Sequence, residues 1–251
     1  MSWDVELHEE VNTWFFSLVQ NDPECADLVE QALDQLAHQG PRLGRPLVDK
    51  IKGSRYHNLK ELRPASAGRS EIRMLFAFDP RRCAIVLVAG DKAGNWRGWY
   101  ETNIPLAEKR FEEHLAELEE GAAMGRSWKD AKKDKEALDR ARGRDVEAAR
   151  EQARILTQAY ILGDRLAQLR KAAGLSQSEV AARMQVSQPR VSKLEQGDLA
   201  QIEVGTLERY VAALGGRLKL VADFEDHDVT VSMNELDHSE DELDCTEKAG
   251  V

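Results

Sequence analysis

The sequence predicts two folded parts of different class: an α+β domain with helices, an antiparallel sheet and a C-terminal helix, then an all-α domain ending in a short strand. Three observations carry this prediction. Residues 1–121 run helix, helix, strands, helix in their hydrophobic patterning, an order that lays helices on a sheet. Ser176 to Gly197, SQSEVAARMQVSQPRVSKLEQG, holds two helix starts on either side of one tight turn. Between these regions Leu118–Asp145 is dense in charge and poor in large apolar side chains. The organisation that follows is 1–121 for the first domain, 122–160 for a charged linker and an amphipathic helix, 161–225 for the second domain, and 226–251 for an acidic tail expected to be disordered.

In the first block, Asp4 to Gln20 places Val5, Val11, Phe15 and Val19 at mostly helical spacing. Asn21-Asp22-Pro23 then restarts a second helix, whose Leu28, Val29, Ala32 and Leu36 form its apolar face up to Gly40. After the turn-rich PRLGRP come four segments read as strands: RYHNLKELRP, GRSEIRMLFAFDP, CAIVLVAGD and GWYETN. Alternation is clearest in the second, where Ile72, Met74, Phe76 and Phe78 take one face and Glu71 and Arg73 the other. Asp79-Pro80-Arg81-Arg82 closes a hairpin into the buried strand Ala84–Ala89, and Ile104 to Leu118 forms the last helix.

Leu118–Asp145 reads as a solvated linker or an exposed helix. Met124, just after Gly-Ala-Ala, stands where a second reading frame would begin if two genes had been joined. From Val146 the spacing changes: Val146, Ala149, Ala153, Leu156 and Tyr160 step by three and four and form one apolar seam, to be buried on the second domain, a dimer partner or the first domain. Asp164 to Ala173 presents Leu166 and Leu169 and ends at Gly174. Ser176 with Glu179 has the order of a capping box, and Val180, Ala181 and Met184 supply the buried stripe of the helix they start. Ser187 is a second cap, Pro189 sits in the first turn, and Val191 and Leu194 return to the core before Gly197. Thr206 to Leu214 is a further helix, and RLKLVADF alternates as a strand.

The net charge of −10 conceals a division. Residues 42–110 hold 15 Lys/Arg against 7 Asp/Glu (+8), residues 124–222 hold 19 against 13 (+6), and residues 223–251 hold 1 against 11 (−10). Two basic regions favour phosphate-bearing partners, and the acidic tail either competes with such partners or only solubilises. No apolar run approaches membrane-spanning length, and the opening MSWDVELHEEV is acidic where a secretory signal is basic and then apolar, so a cytoplasmic protein with no membrane partner is expected. Cys25, Cys83 and Cys245 are far apart and lack metal-ligand spacing; free thiols, no metal and no cofactor are expected.

The SQSEVAARMQVSQPRVSKLEQG run resembles the helix-turn-helix of the Xre and phage-repressor family. The resemblance implies that the first turn of the second helix faces base edges in the major groove of operator DNA. Ser187, Gln188, Arg190 and Ser192 are then the base-reading candidates, with Arg190 suited to guanine and Gln188 to adenine, and Gln177 and Lys193 are the phosphate-holding ones. A homodimer through this half is expected on a palindrome.

The first block, through LKELRP, RSEIRMLFAFDP and GDKAGNWRGWY, resembles the HigB-like, phage-derived branch of the RelE/ParE toxin superfamily. Members of that branch cut messenger RNA on the ribosome and are usually encoded beside a HigA-type helix-turn-helix antitoxin, which the second half resembles. The chain is therefore expected to be a type II toxin and antitoxin in one: a latent, metal-independent endoribonuclease restrained by a DNA-binding half that represses its own promoter. Cutting RNA with its own 2′-hydroxyl needs a proton acceptor, cations around the phosphate, and a proton donor for the departing 5′-oxygen. Lys60, Arg63, Arg73, Lys92, Tyr100 and His57 are the catalytic candidates, and Arg69, Trp96 and Arg97 the RNA-binding ones. Arg63 and Arg73 on neighbouring strands would clamp one phosphate, with Lys92 and Tyr100, on the loop and strand that follow, moving protons. A structural ion pair from Arg63 to Glu61 or Glu71, and a plain surface role for His57, stand beside these assignments. Two other readings remain at this point: a regulator with an inactive toxin fold, and a toxin that poisons gyrase as ParE does.

Overall fold

The computed structural model describes residues 3–66, 68, 70–121, 125–198, 202–224 and 227–231. The chain opens with a strand, β1 (Asp4–Leu7), where the sequence predicts helix. Its Asp-Val-Glu-Leu alternation buries Val5 and Leu7 on one face, and the strand lies parallel to a later one, Val5 opposite Ala84. Helix α1 (Glu9–Asn21) starts only after His8, whose side chain accepts from the Glu10 N–H. A four-residue amphipathic stretch fits either period, and the vacant edge beside the later strand decides it. Helix α2 (Pro23–Gln39) begins as predicted, with Asp22 accepting from the Cys25 N–H at 3.1 Å and Pro23 in the first turn.

Strands β2 (Val48–Lys50), β3 (Lys60–Leu62), β4 (Ile72–Phe78) and β5 (Cys83–Asp91) follow, antiparallel to their chain neighbours. The β4–β5 turn is the predicted Asp79-Pro80-Arg81-Arg82; Asp79 Oδ1 accepts from the Cys83 N–H at 2.8 Å, and Arg82 takes φ 67°. GWYETN is not a strand. It opens helix α3 (Trp96–Glu120), which carries Pro105 in its interior. A proline there costs about 3 kcal/mol in lost hydrogen bonding and ring clash. The cost is offset because Trp99, Ala107 and Phe111, at spacings of four and eight, bury against Leu75, Ala77, Ile85 and Leu87.

From Arg126 the segment after α3 is folded onto the first domain, with one face buried and the other exposed. Arg126–Ser127 forms β6, antiparallel to β1, so the sheet order is β2-β3-β4-β5-β1-β6. Helix α4 (Trp128–Ala141) buries Trp128 edge-on to Phe15, with Trp128 Nε1 donating to Asp34 at 2.9 Å. Helices α1, α2 and α4 cover one face of the sheet, and α3 the other. Sequence composition misleads here because α4 is held by charges that become buried rather than by large apolar residues. The Met124 junction lies outside the described residues.

Helix α5 (Val146–Ala172) is one continuous rod, capped by Asp145 on the Ala148 N–H. Its apolar seam lies on the first domain: Ala153, Leu156 and Tyr160 pack with Leu28 and Ala65. Its last turns join α6 (Gln177–Met184), α7 (Gln188–Glu195) and α8 (Val204–Ala213) around Leu166, Val180, Val191, Leu194 and Tyr210. The Ser176–Glu179 capping box forms, and Gln185 makes the turn at φ 55°. Ser187 occupies the cap position of α7 without a capping hydrogen bond from its side chain. Leu169 is 52% exposed instead of buried, because Leu166 and Arg170 hold the inward face. RLKLVADF gives β7 (Leu220–Asp223), which pairs along one edge with β8 (Asp228–Val231) of the same chain, so folded chain continues past residue 226. Residues 232–251, with Cys245 and most of the acidic run, lie outside the described residues. Cys25 and Cys83 are buried, and Cys25 Sγ lies 3.3 Å from Ser70 Oγ.

Candidate functional site

On the α3 side of the sheet, Asp49 of β2 lies directly opposite Glu61 of β3, and Glu61 lies opposite Leu75, two residues from Arg73 on β4. The pleat therefore aims Asp49, Glu61 and Arg73 to one face and Lys60 to the other. Glu61 is 0% exposed and forms the centre of the cluster. It accepts from Arg63 Nε at 2.5 Å and from the Tyr100 hydroxyl, and Arg73 Nε stands 3.8 Å away. Arg63 also meets Asp49 Oδ2 at 2.9 Å. Arg73 Nη1 donates to the Ile72 carbonyl, and its buried Nε has no hydrogen-bond partner among the described residues.

The electrostatics follow from this packing. Burial pulls the Arg63 guanidinium down, but Glu61 and Asp49 outweigh it and leave its pKa raised. Burial and the bond to the Glu61 carboxylate both push the Tyr100 phenol up, so it stays a proton donor. A cleft of about 350 Å³ opens beside the cluster, lined by Ile51, Lys52, Glu61, Arg63, Tyr100 and Ile104, with Arg97 at its mouth.

Among the predicted residues, the fold thus brings Arg63, Arg73 and Tyr100 together, with Tyr100 on a helix and not a strand. Lys92 lies past the end of β5, 7% exposed, and reaches Glu71 at 2.8 Å. Lys60 faces the opposite side of the sheet, over the Phe78 ring; burial and the Lys50 charge lower its pKa. His57 is exposed in the turn before β3, away from the cluster. Arg97 is 87% exposed and pairs with Glu101. Arg69 and the Trp96 side chain lie outside the described residues. Glu61, the hub, is the residue that sequence reasoning leaves as a mere ion-pair partner. The signal for it is its place in LKELR: alternation puts it on the Arg73 face.

A second cleft, about 580 Å³, lies between the two halves, where Leu156 and Tyr160 of α5 face Ser66, Ser70 and Arg73. Tyr160 is pushed up by burial, against the pull of the Arg73 and Arg63 charges, so the arginine cluster and α5 share one electrostatic environment. What holds α5 there is a buried ion network. Lys135 of α4 meets Asp27 Oδ1 at 2.6 Å, Glu30 Oε2 at 2.9 Å and Asp139 Oδ2 at 2.9 Å. The Glu30 Oε2 contact is an ion contact outside hydrogen-bond geometry. Arg144 bridges Asp27 and Asp139 at 2.7 and 2.8 Å, Arg150 meets Glu30 at 3.0 Å, and Lys132 pairs with Asp34. Burial would raise the Glu30 and Asp139 carboxyls, but these cations win and lower both. The Lys135 ammonium, which burial would deprotonate, is raised by its carboxylates.

At the far end of the molecule, Ser187, Gln188, Arg190 and Lys193 are exposed on α7 and Ser192 is half-buried. Gln188 Nε2 donates to Gln177 Oε1 at 2.7 Å, and Gln177 Nε2 donates to Glu195 at 2.9 Å. Glu195 also accepts from Arg170 Nε and Nη2, at 2.6 and 2.9 Å, and from the Tyr210 hydroxyl at 2.7 Å. Gln177 is thus positioned by the core and positions Gln188, while Arg190 projects free of the first domain.

An α+β body with helices on both faces of its sheet and an arginine-rich cluster, joined to a helix-turn-helix with an open second helix, defines a toxin-like domain carrying its own DNA-binding antitoxin. Residues 17–112 match the family described as Phage derived protein Gp49-like, and residues 161–224 match a Helix-turn-helix domain. The chain is 52% identical over 112 residues to Putative toxin HigB3 of Mycobacterium tuberculosis (strain ATCC 25618 / H37Rv), covering 45% of this chain and 93% of that protein. It is 47% identical over 110 residues to Putative antitoxin HigA3 of the same strain, covering 43% of this chain and 97% of that protein. Putative toxin HigB2 is 49% identical over 120 residues, 48% of this chain, which spans 58% of that protein's length. A solved structure titled "DNA bound antitoxin HigA3" is 57% identical, with 26% of this chain and 86% of that one covered and a TM-score of 0.25. The chain belongs to the HigB toxin family through its first half and to the HigA antitoxin family through its second.

Proposed function

We propose that the first half is a metal-independent, ribosome-dependent messenger RNA endoribonuclease, kept latent by the second half, which represses its own promoter as a homodimer in the cytoplasm. The observation that carries this reading is the docking of α4 and α5 on α2, which brings Leu156 and Tyr160 up to the Arg73 edge and leaves Arg190 and Gln188 exposed. In the proposed reaction an RNA phosphate draws Arg63 and Arg73 from Glu61. Glu61, released from them, accepts the 2′-hydroxyl proton, the 2′-oxygen attacks phosphorus, and the P–O5′ bond breaks. Tyr100 donates a proton to the 5′-oxygen and regains one from Glu61, so the cycle closes. Lys92, committed to Glu71, serves the phosphate edge rather than proton transfer.

The test is expression of residues 1–121 alone beside the whole chain, with transcript ends mapped when growth stops. Residues 1–121 arrest growth with new ends inside open reading frames, and the whole chain is far less toxic because attachment gives the restraining half a high effective concentration. Arrest with intact transcripts and broken DNA would move the reading to gyrase; equal toxicity of both would remove the restraint.

For the DNA half, Arg190→Ala is expected to cost about 1–3 kcal/mol on the chain's own promoter and much less on unrelated duplex. Lys193→Ala weakens both alike. Fluorescence anisotropy on the two duplexes checks this, and equal losses for Arg190→Ala would assign it to phosphate.

A further inference from the structure

On the sheet face away from the arginine cluster, the register sets Lys50 of β2 directly opposite Lys60 of β3. Like charges opposite one another across an antiparallel pair destabilise it, and a neutral or acidic residue at either place would not. No carboxylate relieves the pair. Among the described residues Lys50, Lys60 and Arg82 form no ion pair, whereas Arg45, Arg55, Arg63, Lys92 and Arg110 of the same domain each have one. Arg82 goes against a second local preference, since φ 67° in the β4–β5 turn is a conformation that glycine or asparagine adopts at less cost. Rings hold two of these cations in place. Lys60 Nζ lies 5.6 Å from the centre of the Phe78 ring and the Arg82 guanidinium 4.7 Å from that of Trp3, and the two rings meet edge to face at 5.3 Å. Lys50, Lys60 and Arg82 thus form one strip of uncompensated positive charge.

We infer that this strip binds the phosphodiester backbone of single-stranded RNA, as a second contact for the strand that enters the cleft beside Glu61; the choice of RNA rests on the endoribonuclease reading above. The cations are complementary to a polyanion. Burial and then the Lys50 charge hold the Lys60 pKa down, and a phosphate seated beside both lysines removes that repulsion. Trp3 carries Arg82 and packs on Gly40, which has no room for a Cβ, so the indole props the arginine rather than stacking on a base. The strip therefore holds the backbone and is indifferent to base. Continuity with the cleft comes from the pleat: Asp49 and Glu61 face the arginine cluster, their chain neighbours Lys50 and Lys60 face the strip, and Lys50 also lines the cleft. Because β2 is the edge strand and only three residues long, RNA passes from one face to the other around it. Lys50 and Arg82 stay exposed with the second half docked.

The whole chain can thus be tested as it stands, by fluorescence anisotropy of labelled oligouridylate and oligoadenylate over a range of salt. Lys60→Gln combined with Arg82→Gln is expected to weaken both oligonucleotides alike. The slope of log affinity against log salt should fall by about 1.4, the counterion release of two single-strand phosphates at about 0.7 each. Lys109→Gln combined with Lys133→Gln removes the same charge from exposed places on α3 and α4 and should leave affinity and slope unchanged; an equal loss there overturns the inference in favour of overall charge. Lys50→Glu should weaken RNA and raise the urea midpoint together, because an opposite-charge pair replaces a like one. Unaltered RNA affinity in the Lys60/Arg82 variant with native circular dichroism, or no RNA binding by the whole chain, overturns the inference; if that variant does not fold, Lys50→Glu decides. An equal loss on duplex DNA from upstream of the coding sequence, or on phosphatidylglycerol vesicles, overturns the commitment to RNA. Failure of the endoribonuclease reading shows separately, as intact transcripts when residues 1–121 are expressed alone.

Discussion

Lys135→Ala in the whole chain is expected to lower stability by about 3–5 kcal/mol, the usual consequence of removing one partner from a buried ion cluster. The size comes from what remains. Lys135 is 1% exposed, and without it Asp27, Glu30 and Asp139, all buried, lose their shared cation and keep only Arg144, Arg150 and Lys132. Urea unfolding of the two proteins measures the difference; a loss under about 1 kcal/mol would class the network with surface ion pairs. The pH dependence has a definite sign. Glu30 and Asp139 have lowered carboxyl pKa values, so their contribution is full above the ordinary carboxylate range and is lost as the pH falls through their folded values. The raised Lys135 pKa gives a contribution present below the ordinary lysine value and lost only at far higher pH. Acid should therefore loosen α5 and the Lys135 end of α4 from α2 before the apolar core, to which Trp128 and Ala131 of α4 belong, yields.

The second large effect is expected at the arginine cluster. In residues 1–121 expressed alone, Arg73→Ala is expected to reduce transcript cleavage by about 10²–10³-fold, the ordinary result of removing one charge-stabilising donor from a site of this kind. Arg73 is the informative choice because its Nε lacks a hydrogen-bond partner among the described residues, whereas Arg63 is spent on Glu61 and Asp49. Glu61→Gln keeps the shape of the cluster but removes its proton acceptor, and should lower transcript cleavage in the same assay. Retained cleavage in Arg73→Ala with native circular dichroism would return the cluster to a purely structural role.

Some of this was legible in the residues themselves. Capping at Asp22 and at Ser176, the alternation of β4, and the Asp79–Arg82 turn are local signals, each set by hydrogen bonds within a few residues. The helix-turn-helix is local in the same sense. The apolar seam from Val146 to Tyr160 was visible too, but not its destination.

Only the tertiary structure decided the rest. Asp4–Leu7 is a strand because β5 offers it an edge, and Trp96–Tyr100 is helical because Trp99 has a sheet to lie on. Lys60 and Glu61, adjacent in the chain, part company across the pleat, so one leaves the cluster and the other becomes its centre. Most of all, Trp128–Ala141 reads as solvated by composition, since charged residues ordinarily stay in water. Lys135 is buried because α2 supplies Asp27 and Glu30 at matching positions more than a hundred residues away. A complementarity between distant charges leaves no trace in either segment alone, and here it is what joins the two halves.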